Sequence, residues 1–595
     1  MPFLCQINGL CAWNPLTLPG FSATMKAEFP GEVTLMKRSI RLSILFLLIL
    51  FLLLGGCRGS SSGASMEKVN ASLTAVSLPD ACRTTYEVFV YSFADSNGDG
   101  IGDLKGLQEK LPYITDEMGF SEIWLMPVFP SPTYHKYDAM DYLAIDSQYG
   151  TMEDFDSLLA SCHDKGVRLI LDLAVNHTSV LHPWFQQAAE YLAALPEGAD
   201  PVYEDCPYVW YYNFTREPYG GCEPLAAAGL PGEGNKVLGD GSPWYYEARF
   251  WSGMPDLNLS TDAVREEIRQ IASFWLSKGV DGFRLDALTS YYTDNTPASI
   301  EFTRWFCDTC REIRSDAYLV GECWTDQGAY AKYYESGIDS LFDFEFSGNE
   351  GVIASVVKGS KKASAYAEAC AAEEALYASY NPAYVNAPFY TNHDMARSAG
   401  YYAYDDGSRT KLAQALNLMQ TGNAFVYYGE ELGMKGSGKD ENKRAPMYWA
   451  DASENAGSPE LSILCQGPAD MGNVEHKFGS LESQKKDPWS VWNYVRNAVL
   501  IRNAFPVIAR GVTTPVPALQ SDTIGAFTRT SDEKNNSPVL IVFNTGEESQ
   551  TIDLSSVPYQ TLSAVLTVSD EAVKLSGSRL TLPPFALAVL EAGEN

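Results

Sequence analysis

The chain has 595 residues, more than one compact core holds at roughly 150 residues per domain, so several domains are expected. Apolar residues at 46%, aromatics at 12% and charged residues at 20% are the composition of an ordinary globular protein and exclude a disordered, collagenous or coiled-coil chain. With 43 Lys and Arg against 75 Asp and Glu, the net charge of −32 repels phosphates and anionic surfaces, which excludes nucleic acid as a partner and leaves neutral or cationic ones.

Lys37, Arg38 and Arg41 precede an apolar run from Leu42 to Gly56, the charged and hydrophobic parts of a secretory signal within residues 1–56. The run is shorter than the roughly 20 residues a spanning helix needs. It ends in Leu54-Gly55-Gly56-Cys57, which resembles a bacterial lipoprotein signal whose cysteine becomes the lipid-modified first residue. That resemblance implies an extracytoplasmic, membrane-anchored lipoprotein with its lipid on Cys57, and Met36 stands where such a signal starts, so residues 1–35 are expected to precede the true start codon. Residues 57–83 then form a linker, Ser/Gly-rich and flexible from Arg58 to Ser65. Among the later cysteines, Cys206 and Cys222 bracket a Tyr/Gly/Pro-rich stretch and are the pair best suited to a disulfide. Cys307 and Cys310, inside the amphipathic TRWFCDTCREIR, read instead as two buried thiols on one helix.

Eight short apolar runs follow: YEVFVYSF from Tyr86, SEIWLMPVF from Ser121, VRLILDLAVNH from Val167, VDGFRLDAL from Val280, AYLVGECW from Ala317, SLFDFEF from Ser340, AYVNAPFYTNHD from Ala383 and NAFVYYGEELG from Asn423. Helix-length segments separate them, which predicts parallel βα units, and eight such units close an α/β fold of the (β/α)8 TIM-barrel type. The barrel is expected over 84–177 and 251–504. The interval 178–250, rich in Tyr, Trp, Pro and Gly, reads as a subdomain inserted after the third strand. From 505 to 595 helical periodicity stops, and the runs VLIVFNT, QTIDLSS, TLSAVLTVS and FALAVLEA predict a C-terminal antiparallel β-sandwich.

Polar residues cluster where the barrel strands end: Asp172, Asn176 and His177 after the third, Arg284 and Asp286 after the fourth, Glu322 after the fifth, and Asn392, His393 and Asp394 after the seventh. Those ends form the active-site rim of a barrel, and unpaired charges in a core cost several kcal/mol each, so a functional site accounts for this set better than stability does.

DLAVNH, GFRLDA, LVGECW and TNHD, with MPDLN from Met254, resemble in order the signature regions of the α-amylase superfamily of glycoside hydrolases, and the likeness runs from about Thr84 to the C-terminus. YHKYD from Tyr134 and YYGEELGMKG from Tyr427 are similar to bacterial members intermediate between oligo-1,6-glucosidases and neopullulanases. The resemblance implies hydrolysis of α-glucans such as starch and maltooligosaccharides with retention, a chemistry that needs two carboxyl groups about 5–5.5 Å apart. By it Asp286 is the nucleophile, Glu322 the acid/base and Asp394 the third carboxylate, which binds sugar hydroxyls. His135, His177 and His393 are implied to contact substrate, Tyr137 to form an aromatic platform, and Arg284 to face Asp286 from the same side of the strand and favour its charged form.

A second motif, Asp95, Asn97, Asp99, Ile101 and Asp103 with Gly100, places oxygen ligands as in the start of an EF-hand loop, although Gly106 stands where the bidentate glutamate belongs. It resembles the structural Ca2+ loop of oligo-1,6-glucosidase-like enzymes. Two departures bear on specificity. Thr289 and Ser290 replace the Lys-His pair that many α-amylases use for leaving-group sugars, and Ala287 after the nucleophile resembles α-1,4-acting members, whereas α-1,6-acting ones more often carry valine. The leading expectation is internal α-1,4 cleavage; an α-glucosidase, a neopullulanase-like enzyme or a transglycosylase on the same triad, and a non-catalytic glucan-binding surface protein, are the alternatives.

Overall fold

Each of the eight predicted runs forms a strand in the computed structural model, which describes residues 65–225, 242–453, 455–532 and 536–593. The strands are β1 (Thr84–Val88), β2 (Glu122–Leu125), β3 (Arg168–Leu173), β4 (Gly282–Leu285), β5 (Tyr318–Gly321), β6 (Ser340–Phe342), β7 (Val385–Ala387) and β8 (Ala424–Tyr427). All neighbours are parallel, in the order β7-β6-β5-β4-β3-β2-β1-β8. A parallel bridge between Phe389 and Phe425 brings the last two edges together, so the sheet closes as the expected barrel.

Alternation along the strands divides the apolar residues into two cores. Outward-facing Tyr86, Leu125, Leu171, Phe283 and Leu319 pack in the large core under the helices, where Trp275 and Phe306 are fully buried. The inward set, Trp124, Ile170, Val320, Phe342 and Phe425, fills the middle of the barrel. A fully buried side chain of this size contributes about 1.5–3 kcal/mol. The interior is therefore solid, and anything reactive must sit at an end.

Between β3 and β4 lie a helix, Pro183–Ala194, and a three-stranded antiparallel sheet with Tyr245–Glu247 at its centre. The His182 ring caps that helix by accepting from the Trp184 N–H at 3.2 Å. Beyond the barrel, a five-stranded and a three-stranded antiparallel sheet make up the C-terminal region. Two of its strands, Val512–Pro515 and Ile524–Thr530, fall outside the alternating runs marked in the sequence, and a short helix, Val507–Arg510, extends past Phe505. Glu374 on the barrel helix Ser364–Tyr380 clamps the two parts together, accepting from the Thr513 N–H at 2.8 Å and from Arg529 at 2.7 Å.

Two expectations are corrected. Cys206 and Cys222 carry free thiols: Cys206 is buried with its Sγ 3.7 Å from the Gln187 carbonyl, while Cys222 opens a strand of the inserted sheet, so packing separates two residues that composition had paired. Cys307 and Cys310 are buried on one helix, Thr296–Ile313, as read. The linker assigned to 57–83 is fixed from residue 66 onward. Met66–Asn70 is helical, and the Asn70 side chain bonds both the N–H (3.1 Å) and the carbonyl (2.9 Å) of Val565 on an outer strand of the C-terminal sheet. The signal, Cys57 and the tether ahead of Ser65 lie outside the described residues, among which no helix is long and apolar enough to cross a membrane.

Candidate active site

A cleft of about 400 Å3 opens at the C-terminal ends of the strands, and Asp286, Glu322, Asp394, Tyr137, His135 and His177 all line it. Asp286 is the first residue past β4 and Glu322 the first past β5, so two neighbouring strands deliver the two carboxyls side by side. Arg284, fully buried, joins them: its Nη1 lies 2.6 Å from Asp286 Oδ1 and its Nη2 3.1 Å from Glu322 Oε2. The two nitrogens of a planar guanidinium are roughly 2.3 Å apart, which holds those carboxylate oxygens within about 8 Å of each other on the same rim.

The turn after Asp286 is strained. Ala287 adopts φ 47, a left-handed backbone that costs about 1–2 kcal/mol for a residue with a Cβ. The strain has a use, because this turn directs the Ala287 N–H to Glu322 Oε2 at 3.1 Å. With Oε2 taken by Ala287 and facing Arg284, Oε1 is the oxygen left to carry a proton toward the cleft. Burial, reinforced by the nearby charges of Asp286 and Asp394 and opposed by Arg284, pushes the Glu322 carboxyl up to about 7. Asp172, between Arg284 (2.9 Å) and the Tyr137 hydroxyl (2.9 Å), is also pushed up by burial, to about 6.

Asp394 is ionised by contrast. The Asn392 side chain accepts from the Asp394 and Met395 N–H groups (3.0 and 3.1 Å), a local turn that projects Asp394 into the cleft. Burial opposes its charge, but His393 at 3.0 Å and Arg444 at 2.8 Å outweigh it and hold the carboxyl well below the usual carboxylate range. His393 is fully buried, with Nδ1 2.5 Å from Glu87 and Nε2 2.7 Å from the Tyr137 hydroxyl, and against burial the charges of Asp394 and Glu87 raise it to about 9. Tyr137 stacks on His393 at 5.5 Å and 18°. Burial lowers His177, whose Nε2 meets the Tyr137 carbonyl at 3.1 Å while Nδ1 has no partner and is available to a ligand hydroxyl. Burial, with Arg444 adding to it, lowers His135 to about 3, so it lines the cleft as a neutral ring.

Glu87 and Arg444 went unmarked in the sequence. The signal for Glu87 was a single carboxylate in an otherwise apolar run, at a position whose alternation faces the barrel interior; Arg444 lies in KDENKRAPM, where nothing distinguishes it from a solvated charge.

The loop Asp95–Asp103 lies apart, after β1. Asp95 accepts the N–H groups of Asn97, Gly98 and Gly100 at 3.0, 2.6 and 2.7 Å, Asn97 that of Asp99 at 2.9 Å, and Asp99 that of Ile101 at 2.8 Å, which winds the motif into one coil. Asp103 caps the helix Leu104–Glu109 through the Gly106 N–H at 2.7 Å. Burial first, then the charges of Asp95, Asp103 and Asp99, push the Cys465 thiol up, so the three carboxylates share one neighbourhood. No three His, Cys, Asp or Glu side chains among the described residues are gathered tightly enough by themselves to hold a metal; the loop's other oxygens come from Asn97 and the Ile101 carbonyl.

A barrel with two carboxyls on adjacent strand ends, joined by a buried arginine and open to a cleft, has the layout of a glycoside hydrolase site. The family model for the α-amylase catalytic domain matches residues 87–511 and that for the α-amylase SusG C-terminal domain matches 524–589. The chain therefore belongs to the α-amylase family of glycoside hydrolases. It is 35% identical to alpha-amylase 3 of Dictyoglomus thermophilum over 79% of this chain and 86% of that one, and 29% identical to an oligo-1,6-glucosidase of Parageobacillus thermoglucosidasius over 83% and 96%. Among solved structures it is similar to Eubacterium rectale Amy13B, at 44% identity and TM-score 0.83, covering 90% of this chain and 100% of that one. An α-amylase from H. orenii aligns at 32% identity and TM-score 0.71, over 86% and 100%.

Proposed function

We propose that the protein hydrolyses internal α-1,4-glucosidic bonds of starch and maltooligosaccharides by double displacement. The observation that carries this is one buried guanidinium in ion-pair contact with both Asp286 and Glu322, with the Glu322 carboxyl pushed up by burial to about 7. Two carboxyls in reach of one anomeric carbon, one of them poised to carry a proton, are what attack and leaving-group protonation require. Asp286 forms the glycosyl ester, Glu322 protonates the departing oxygen and then deprotonates water, and Asp394 with His177 holds the hydroxyls of the sugar being cleaved; His393, expected to contact substrate, is fully buried outside the cleft lining and instead backs Asp394. Reducing-sugar release from soluble starch by the wild type and by Asp286→Asn tests it; equal rates reject the hydrolase reading. Ala287 after Asp286 supports α-1,4 over α-1,6 action, since it matches the residue that α-1,4-acting members of the family carry there. Product profiles on amylose and pullulan check the linkage, and maltotriose from pullulan, the product of cutting its α-1,6 bonds, contradicts it.

The Asp95–Asp103 coil suits a structural Ca2+, because Asp95 Oδ2, Asn97 Oδ1 and Asp99 Oδ1 each accept one N–H and keep a second lone pair. Asp95, Asn97, Asp99, Asp103 and the Ile101 carbonyl would hold it, and the ion would rigidify the loop. Export and lipidation at Cys57 complete the proposal, with mass spectrometry of the mature N-terminus as the check.

A further inference from the structure

Glu87 is a carboxylate in the middle of β1 that reaches no part of the cleft. It is 1% exposed, its neighbours Tyr86 and Val88 face the outer core, and it does not line the cavity. Its Oε1 lies 2.5 Å from His393 Nδ1. On the opposite edge of the same ring, Nε2 is 3.0 Å from Asp394 Oδ2 and 2.7 Å from the Tyr137 hydroxyl. That hydroxyl gives its own proton to Asp172 at 2.9 Å, so toward His393 it is an acceptor. Both ring nitrogens therefore face acceptors, and a neutral imidazole has only one N–H to give. The ring has no room to turn: it is 0% exposed, stacked on Tyr137 and held edge-on to Trp124 at 5.7 Å.

We propose that Glu87 is a positioning residue of the cleft, which fixes His393 as a doubly protonated ring in one orientation so that its Nε2–H always points to Asp394 and the sugar hydroxyl beside it. This rests on the hydrolase reading above. The arrangement is a row of alternating charge, Glu87, His393, Asp394 and Arg444, running from the barrel interior to the cleft wall. The other ionisable groups facing His393 are Tyr137 from the loop after β2 and Tyr427 of β8, with Arg284, Asp172 and Glu322 in the layer around it. Without the charge on Glu87, the ring keeps one proton. A neutral amide in its place either accepts from Nδ1–H, which turns the bare Nε2 lone pair onto the Asp394 carboxylate, or donates to Nδ1, which keeps Nε2–H but removes the positive charge of the ring. Either way the ion pair with Asp394 is lost at the group that holds the sugar.

The experiment uses the full chain with 15N-labelled histidine. The sequence has six histidines, so the His393 signals are assigned by comparison with His393→Asn. In the wild type at pH 7 both ring nitrogens should show imidazolium shifts. In Glu87→Gln they should split into the two distinct shifts of a neutral tautomer, with kcat/KM on maltoheptaose falling about ten- to hundredfold, the scale of one lost charge-assisted hydrogen bond. Glu87→Asp, which keeps the charge on a shorter arm, should leave His393 doubly protonated and lose less activity; a purely structural role for Glu87 would not separate the two variants this way. A folded Glu87→Gln with His393 still doubly protonated and kcat/KM unchanged overturns the proposal. Should Glu87→Gln fail to fold, a wild-type His393 that titrates below pH 7 overturns it. If the wild type releases no sugar from maltoheptaose, the hydrolase reading fails while the nitrogen shifts still decide whether Glu87 charges the ring.

Discussion

The barrel holds two buried polar layers, one at each end of its apolar middle, and only one of them opens to the cleft. At the N-terminal end Thr85, Glu122 and Asn423 are linked at 2.7–2.8 Å, and no cation takes part in those bonds. Burial pushes the Glu122 carboxyl up, and the hydrogen bonds from Thr85 and Asn423 offset this only in part. At the C-terminal end Asp172, Asp286 and Glu322 surround Arg284, and the layer opens to the cleft. Two things make the difference: the upper layer has a guanidinium in ion-pair contact with all three carboxyls, against which burial still pushes Glu322 up, and the opening lets a sugar reach them.

The largest expected effect is on the upper layer. Glu322→Gln should lower kcat on maltooligosaccharides by about 10²- to 10⁴-fold, the contribution of a positioned general acid. Wild-type activity should hold below pH 7 and fall about tenfold per unit above it, because the reactive form is the protonated carboxyl raised to about 7. Steady-state rates across pH check both, and a wild-type alkaline limb that survives in the variant would assign it elsewhere. Arg284→Met removes the cation and leaves three buried carboxyls crowded together. It should destabilise the fold by about 3–5 kcal/mol at pH 7, read from urea midpoints, with the loss smaller at pH 5, where more of those carboxyls are protonated.

Ala287→Val sharpens the comparison by straining the upper turn alone. It should cost about 1–2 kcal/mol in stability and lower kcat more than it raises KM, since the N–H to Glu322 shifts with the turn. The smallest effect belongs to the lower layer. Glu122→Gln should change stability by no more than about 1 kcal/mol and leave kcat/KM as in the wild type, because an amide keeps the oxygen that accepts from Thr85 and Asn423. A large loss of activity there would erase the distinction between the two layers.

The strands and the upper carboxylates were legible in the sequence for one reason: each barrel strand is an apolar run that ends in a polar group, and Asp286, Glu322 and Asp394 stand at those ends. Glu87 was not legible, since it sits inside such a run and acquires meaning only when β1 faces His393, 306 residues away along the chain. Arg444 reads as one of several charges in a polar loop until that loop folds over Asp394. The pairing of Cys206 with Cys222 failed because closeness in sequence said nothing of the helix and strand that part them. The Asn70 clamp was invisible for the opposite reason, as its partner Val565 lies 495 residues on.

The most direct measurement is capture of the glycosyl-enzyme. Incubation with a fluorinated glucosyl fluoride, which forms the ester quickly and loses it slowly, followed by proteolysis and mass spectrometry, should place one hexosyl adduct on Asp286 and none in Asp286→Asn. An adduct on Asp394 or Glu322, or turnover of the reagent by Asp286→Asn at the wild-type rate, would contradict the division of labour around Arg284.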